Sequence, residues 1–145
     1  MHCASVHANQ KLNHLIAEMD SLYHFSARKL GMTDSMCAVL YAIYTAEGDC
    51  LLRDVYKNCG IRKQTAHSAI QALEQYGILY FEPCGGNQKK VMLTLEGERY
   101  LKRTVGRLYQ AETAAFDAWT EEEIRTYLRL FEKYVDCFRT QVENL

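Results

Sequence analysis

Between Gly60 and Gly77 the sequence has the period of a helix, with one apolar stripe and one polar face. The stripe consists of Ala66, Ile70, Leu73 and Gly77, and the polar face of Gln64, His67, Ser68, Gln71 and Gln75. Exposed helix faces usually mix acids and bases that pair with each other, but no carboxylate precedes Glu74 here. A neutral polar face next to Arg62 and Lys63 suits phosphates and base edges, although simple solvent exposure is the alternative.

Directly after this helix the hydrophobic period changes to two. Residues 78–82 and 89–93 predict two antiparallel strands around a turn at 83–88. A short helix is expected at 51–58, and two helices joined by a short glycine-containing turn are typical of a helix-turn-helix. A helix-turn-helix followed at once by a basic, glycine-rich hairpin is a winged helix.

Long amphipathic helices are expected on both sides of this part. They cover 8–30, 34–46, 95–117 and 121 to the end of the chain, with Thr33, Thr94 and Thr120 as N-caps of the last three and Gly48 closing the second. The predicted fold is therefore mainly α with a small β-hairpin wing. The apolar stripe of the last helix is too wide to face water, so either the first helix or a second subunit must cover it.

The basic charge lies in the middle of the chain. Residues 50–105 hold nine Lys or Arg and five acids, a balance of +4, whereas residues 1–49 carry −2 and residues 106–145 carry −3. This distribution places the positive charge around the helix-turn-helix, although the whole chain has a net charge of only −1.

The remaining composition excludes several classes of function. The longest apolar run, Met36 to Tyr44, is too short to span a bilayer, and the first residues do not resemble a signal peptide, so a cytoplasmic protein is predicted. Six cysteines without a C-x-x-C pair and five scattered histidines predict no metal site and no cofactor. No nucleophile, base and orienting group recur at close spacing, so no catalytic residues and no enzyme are expected.

Several short motifs now give the chain a family resemblance. They are Gln64-Thr65 at the start of the helix between Gly60 and Gly77, Leu73-Glu74 before Gly77-Ile78, and Leu93-Thr94-x-x-Gly97 after the wing. With the order of helices and hairpin, they make the chain resemble the MarR family of bacterial winged-helix transcriptional regulators over nearly its whole length. Members of that family usually carry an acid and an arginine in the wing. The corresponding positions here are near Gly85 and Asn87, and Lys89 and Lys90 are the nearest bases.

The resemblance implies one MarR-like domain over residues 1–145, with a DNA-binding part at 32–94 and a helical dimerisation part at 1–31 and 95–145. It implies a homodimer on a palindromic operator in double-stranded DNA, and a repressor that a small aromatic ligand releases. The alternatives are a redox-sensing regulator, with Cys59 and Cys84 as the candidate thiols, and a winged helix that binds protein instead of DNA.

Two sets of candidate site residues follow. The predicted DNA-binding residues are Arg62, Lys63, Gln64, Thr65, His67, Ser68, Gln71, Asn87, Gln88, Lys89 and Lys90. The predicted effector-pocket residues are Tyr23, Tyr41, Tyr44 and Tyr100, with Tyr109 as a further aromatic nearby, although aromatics at helical spacing often belong to a core.

Overall fold

A computed structural model describes residues 3–46 and 50–145 of the chain. Its elements are α1 (Cys3–Lys29), α2 (Asp34–Tyr44), α3 (Leu52–Asn58), α4 (Lys63–Gln75), β1 (Leu79–Pro83), β2 (Lys89–Leu93), α5 (Leu95–Arg103), α6 (Val105–Ala115) and α7 (Glu121–Glu143). This order confirms the predicted fold class, a mainly helical winged helix-turn-helix. The predicted closure of the second helix at Gly48 lies outside the described residues.

The three predicted threonine caps are all present. The hydroxyl oxygen of Thr33 accepts a hydrogen bond from the Met36 amide, and Thr94 and Thr120 cap α5 and α7 in the same way. At Thr120 the carboxylate of Glu123 also accepts the Thr120 amide, which completes the capping box. These bonds hold the pKa of the Glu123 carboxyl below its usual value.

One predicted helix is broken in the structure. The expected helix over 95–117 is divided at Thr104, whose ψ of −99° leaves the helical region, so α5 ends at Arg103 and α6 begins at Val105. The Thr104 hydroxyl donates to the carbonyl of Tyr100 at 2.6 Å, and such a bond from a β-branched residue competes with helix geometry. The prediction of one continuous helix was therefore wrong, because it followed the apolar register and ignored this threonine.

The core of the winged helix lies between α2, α4 and the wing. Leu40 of α2, Leu73 of α4 and Leu79 of β1 are almost completely buried, as are Val39, Val55 and Val105. The wing is a two-stranded antiparallel sheet in which Leu79 pairs with Leu93 and Glu82 with Lys90. An isolated bridge between Leu51 and Lys90 attaches the wing to the start of α3.

The Leu-Thr-x-x-Gly motif joins the end of α4 to the end of the wing. The Thr94 hydroxyl donates to the carbonyl of Gly77 at 2.6 Å, and its oxygen accepts the amide of Gly97 at 2.9 Å. A Cβ atom at Gly97 would overlap the carbonyl oxygen of Ile78 and stand 2.9 Å from its carbon. Only glycine therefore lets α5 approach the backbone this closely.

The chain divides into two compact units, Met1–Leu108 and Tyr109–Leu145. The second unit contains a ring cluster in which Trp119 contacts Phe116 and Tyr127, each with ring centroids 5.4 Å apart, and Tyr127 stacks on Phe131 at 6.0 Å. In the described part of the chain, no helix combines the length and hydrophobicity that crossing a bilayer would require.

Candidate nucleic-acid interface

The two faces predicted for α4 are the two faces observed. Ala66 and Leu73 are fully buried, and Ala69 and Ile70 are nearly so, because this side of the helix packs on the core. Every predicted contact residue on the helix is exposed, namely Lys63, Gln64, Thr65, His67, Ser68 and Gln71. Helix α4 therefore presents a neutral to basic surface before the carboxylate of Glu74.

The start of α4 favours an anion. Arg62 occupies the N-cap position, is exposed, and makes no side-chain capping bond. Helix N-termini carry unpaired amide groups and the positive end of the helix dipole, and both attract phosphate. A Ser or Asp at this position would cap the helix better. Arg62 stabilises the helix less than these residues would, but it adds a positive charge at the helix start.

Tyr56 of α3 organises two of the residues on this face. Its hydroxyl shares a hydrogen bond of 3.0 Å with His67 Nδ1, and Lys63 Nζ lies 5.4 Å from its ring centroid. Burial raises the pKa of the Tyr56 phenol, so the hydroxyl keeps its proton. When the hydroxyl donates to Nδ1, the neutral imidazole carries its own proton on Nε2 and can donate it outward.

The remaining α4 residues differ in how strongly they are held. Ser68 donates to the Gln64 carbonyl at 3.1 Å, which fixes its hydroxyl along the helix. Gln71 is exposed one turn further along. An exposed amide side chain can present a donor and an acceptor together, which is the pair that adenine displays in the major groove.

The wing and α3 form a basic cleft beside the start of α4. This cleft has a volume of about 280 Å³ and is lined by Leu51, Leu52, Arg53, Tyr56, Lys63, Asn87, Gln88 and Lys89. No acidic side chain belongs to this lining among the described residues, and Asp54 lies outside it, 3.7 Å from Arg53. Three cations from three elements therefore line one concave surface.

Arg53 is the residue that the sequence analysis missed. Its side chain is 64% exposed and lines the same cleft as Lys63 and Lys89. The only signal in the sequence was a base at the start of the helix before α4, inside the basic middle third. Lys90, predicted with Lys89, is half-buried and does not line the cleft.

A second cavity, of about 490 Å³, lies between α1, α2 and the α3–α4 turn. It is lined by Asp20, Tyr23, His24, Ala27, Asp34, Cys37, Ala38, Tyr41, Asn58, Cys59, Ile61 and Leu108. Two of the four predicted effector-pocket tyrosines, Tyr23 and Tyr41, belong to this lining, whereas Tyr44 and Tyr100 do not. Tyr44 packs instead over Gly106, and Tyr100 is half-buried against the core.

The cysteines show no arrangement specialised for redox chemistry. Cys59 is buried, and its thiol donates weakly to the Tyr56 carbonyl at 3.6 Å, while Cys84 is half-buried at the base of the wing turn. Burial and the neighbouring Asp54 raise the pKa of the Cys50 thiol, which disfavours the reactive thiolate. Among the described residues no three His, Cys, Asp or Glu side chains lie close enough to hold a metal ion.

Comparison with known proteins relates the middle of this chain to one family. Residues 30–90 match the model of the MarR family. No curated protein matches the chain significantly.

Three solved structures share its fold at low sequence identity. They are a MarR-family regulator from Silicibacter pomeroyi (16% identity, 93% of this chain and 94% of that chain, TM-score 0.70), Bordetella bronchiseptica BpsR (21%, 86% and 98%, 0.63) and Streptomyces coelicolor PcaV (21%, 86% and 91%, 0.62). DNA binding by BpsR is regulated by 6-hydroxynicotinic acid, and PcaV was solved in complex with its natural ligand.

Proposed function

We propose that the protein is a MarR-family regulator and a sequence-specific DNA-binding repressor, because residues 30–90 match the model of that family and form a winged helix. Helix α4 enters the major groove of double-stranded DNA, and the wing follows the backbone beside it. Such a regulator acts on the genome in the cytoplasm.

The exposed face of α4 is the observation that carries this proposal. A helix that reads base edges needs donors and acceptors and must not bring carboxylates against phosphate. The side chains from Lys63 to Gln71 meet both conditions, while the opposite face of the helix is fixed in the core. A protein-binding winged helix would present an apolar or acidic face at this position.

The basic cleft supplies the contact to the DNA backbone. Arg53, Lys63 and Lys89 line it together, and the Lys89 ammonium lies 5.7 Å from the Phe81 ring centroid. Phosphate contacts set the register of a protein on the duplex without reading its sequence. In the proposed complex these three cations hold the backbone that borders the groove occupied by α4.

The functional unit is proposed to be a homodimer on a palindromic operator. Helix α7 has no buried side chain along Glu121–Glu143, and Leu128, Phe131, Val135 and Phe138 are each between 39% and 56% exposed. Helix α1 also exposes a row of large apolar side chains, which are Leu15, Ile16, Met19, Leu22 and Phe25. Apolar area on this scale marks a protein interface. A two-fold symmetric dimer would cover apolar faces of this kind and match two half-sites.

The 490 Å³ cavity is proposed to bind a small aromatic effector that releases the operator. Its lining includes Asn58 and Ile61, which flank the turn into α4, as well as Tyr23 of α1 and Tyr41 of α2. A ligand that fits the cavity better in one position of the helix-turn-helix shifts the protein toward that position. Release follows when the favoured position fits DNA poorly.

The experiment that tests the proposed function is selection from genomic DNA. Sheared DNA from the source organism is passed over the full-length protein, and the retained fragments are sequenced. The proposal expects a few enriched fragments that share a palindrome. Retention of random fragments, or of none, would contradict sequence-specific DNA binding.

Gln71→Ala should weaken binding to the selected operator and leave binding to scrambled duplex almost unchanged. A bidentate contact from an amide to adenine discriminates by about 1–3 kcal/mol, which is about 5- to 150-fold at each half-site. Fluorescence anisotropy with both duplexes measures the two affinities. Gln110→Ala, which removes an exposed glutamine from α6, is the control and should change neither.

Lys89→Ala separates the backbone contact from base reading. Removing this cation should weaken binding to the operator and to the scrambled duplex alike. The slope of log affinity against log salt concentration should become shallower, by the contribution of about one phosphate contact for each subunit. Lys102→Ala removes the same charge from α5 as a control. Equal losses of both affinities in Gln71→Ala, or an unchanged salt dependence in Lys89→Ala, would show that the two roles are assigned incorrectly.

A further inference from the structure

The 490 Å³ cavity combines an apolar floor with acidic edges. The side chains of its floor are all less than a tenth exposed, and they are Ala27, Cys37, Cys59 and Leu108. Its charged side chains are exposed, with Asp34 at 62% and His24 at 55%, and Asp20 also faces solvent. A ligand here therefore buries an apolar body and leaves a polar end near these groups.

The groups of the lining that can carry charge at neutral pH are two carboxylates and the His24 imidazole. Asp20 and Asp34 contribute carboxylates, and no Lys or Arg belongs to the lining among the described residues. His24 Nδ1 lies 2.7 Å from Asp34 Oδ2, so this ring occupies one oxygen and leaves Oδ1 available. Asp20 makes no hydrogen bond or ion pair with the part of the chain that the structure describes.

These charges bear on which ligands the cavity accepts. The carboxylate of an aromatic acid would lie near these two like charges, with no Lys or Arg to pair with it and with the His24 ring already bonded to Asp34. It would also lose part of its hydration on entering. An ammonium group in the same place can form charge-assisted hydrogen bonds with these carboxylates and make favourable contact with the tyrosine rings. BpsR responds to an acid, and the lining of this cavity favours the opposite charge.

We propose that the effector of this cavity is an aromatic amine, with its ring on the apolar floor beside Tyr23 and Tyr41 and its ammonium group at Asp20 and Asp34. The inference rests on the proposed function, in which this cavity is the effector site. It adds the charge of the ligand, and it favours aromatic amines over aromatic acids as effectors of this protein.

Three compounds with the same phenol ring test the charge preference. Tyramine carries an ammonium group, 4-ethylphenol is neutral, and 4-hydroxyphenylacetate carries a carboxylate. Isothermal titration of the full-length protein at neutral pH should give an affinity for tyramine about tenfold higher than for 4-ethylphenol, since exposed ion pairs are each of modest strength. The acid should bind most weakly.

Two variants place the effect in this cavity. Asp20→Asn should reduce the affinity for tyramine several-fold and leave 4-ethylphenol unchanged, whereas Asp117→Asn, an exposed aspartate outside the cavity, should leave both unchanged. Ala38→Phe fills the cavity without adding charge and should abolish binding of all three compounds. Circular dichroism checks that each variant is folded.

The outcomes distinguish this inference from the proposed function. Equal or tighter binding of the acid, or an equal effect of Asp20→Asn on all three compounds, overturns the charge preference and leaves the effector site standing. Failure of all three to bind, or tyramine binding that survives Ala38→Phe, overturns the inference, while the genomic selection still decides DNA binding separately. Tyramine that binds as expected without releasing the operator confirms the inference and contradicts the proposed release.

Discussion

Gly97→Ala should destabilise the protein by about 3 kcal/mol, although alanine is the better helix former by about 1 kcal/mol. The new Cβ would overlap the carbonyl oxygen of Ile78, which is backbone and cannot rotate away. Helix α5 must then move from β1, and the move disturbs the hydrogen bonds that Thr94 makes to Gly77 and Gly97. The melting temperature, measured by circular dichroism, should fall by about 10 °C.

Glu98→Ala is the matched control for this prediction. Glu98 is the next residue of α5, is exposed, and has no neighbour that alanine would strike. Its replacement should cost less than about 1 kcal/mol, chiefly through the lost acidic charge in the first turn of the helix. Both variants are compared at the same protein concentration, because the proposed dimerisation would make the melting temperature depend on concentration. A Gly97→Ala protein as stable as Glu98→Ala would show that α5 does not approach Ile78 this closely.

Leu128→Asp combined with Val135→Asp should convert the proposed dimer into monomers. The two positions lie seven residues apart on the exposed apolar stripe of α7 and make none of its described ring contacts. Each buried aliphatic side chain contributes about 1.5 kcal/mol or more. Two positions in each of two symmetric subunits remove four such side chains, a loss of about 6 kcal/mol in total. The dimer dissociation constant should rise by about four powers of ten, which sedimentation velocity at micromolar concentration detects.

Thr126→Asp combined with Lys133→Asp provides the control on the same helix. These residues have the same spacing but lie on the opposite side, and their replacement makes the chain more acidic than the test variant does. The control should remain dimeric and bind the operator as the unmodified protein does. If both double variants dissociate, general charge repulsion and not the stripe explains the result, and a monomeric unmodified protein would contradict the dimer itself.

The sequence predicted those parts of the fold that depend on local chemistry. The caps at Thr33, Thr94 and Thr120 were recognisable because a hydroxyl three residues before an amide is a local arrangement. The two faces of α4 were equally predictable, since helical spacing alone separates Ala66 and Leu73 from Gln64 and Gln71.

The parts that were missed depend on contacts distant in sequence. Arg53 joins the basic cleft only because Leu51 pairs with Lys90 and draws the wing against α3. Tyr23 and Tyr41 line one cavity, whereas Tyr44 does not. In the sequence all three were alike, because each is a tyrosine on a predicted amphipathic helix. Periodicity locates a residue on a face of a helix but does not identify the element that packs against that face.

The Thr94 hydroxyl links the proposed DNA-contacting helix to the wing and to α5. Through hydrogen bonds with Gly77 and Gly97 it connects the end of α4, the end of the wing and the start of α5. In the proposed complex, the contacts of α4 with base edges and of the wing with the DNA backbone are therefore coupled. In the proposed mechanism, an effector that moves the α3–α4 turn would therefore move α4 and the wing together in each subunit.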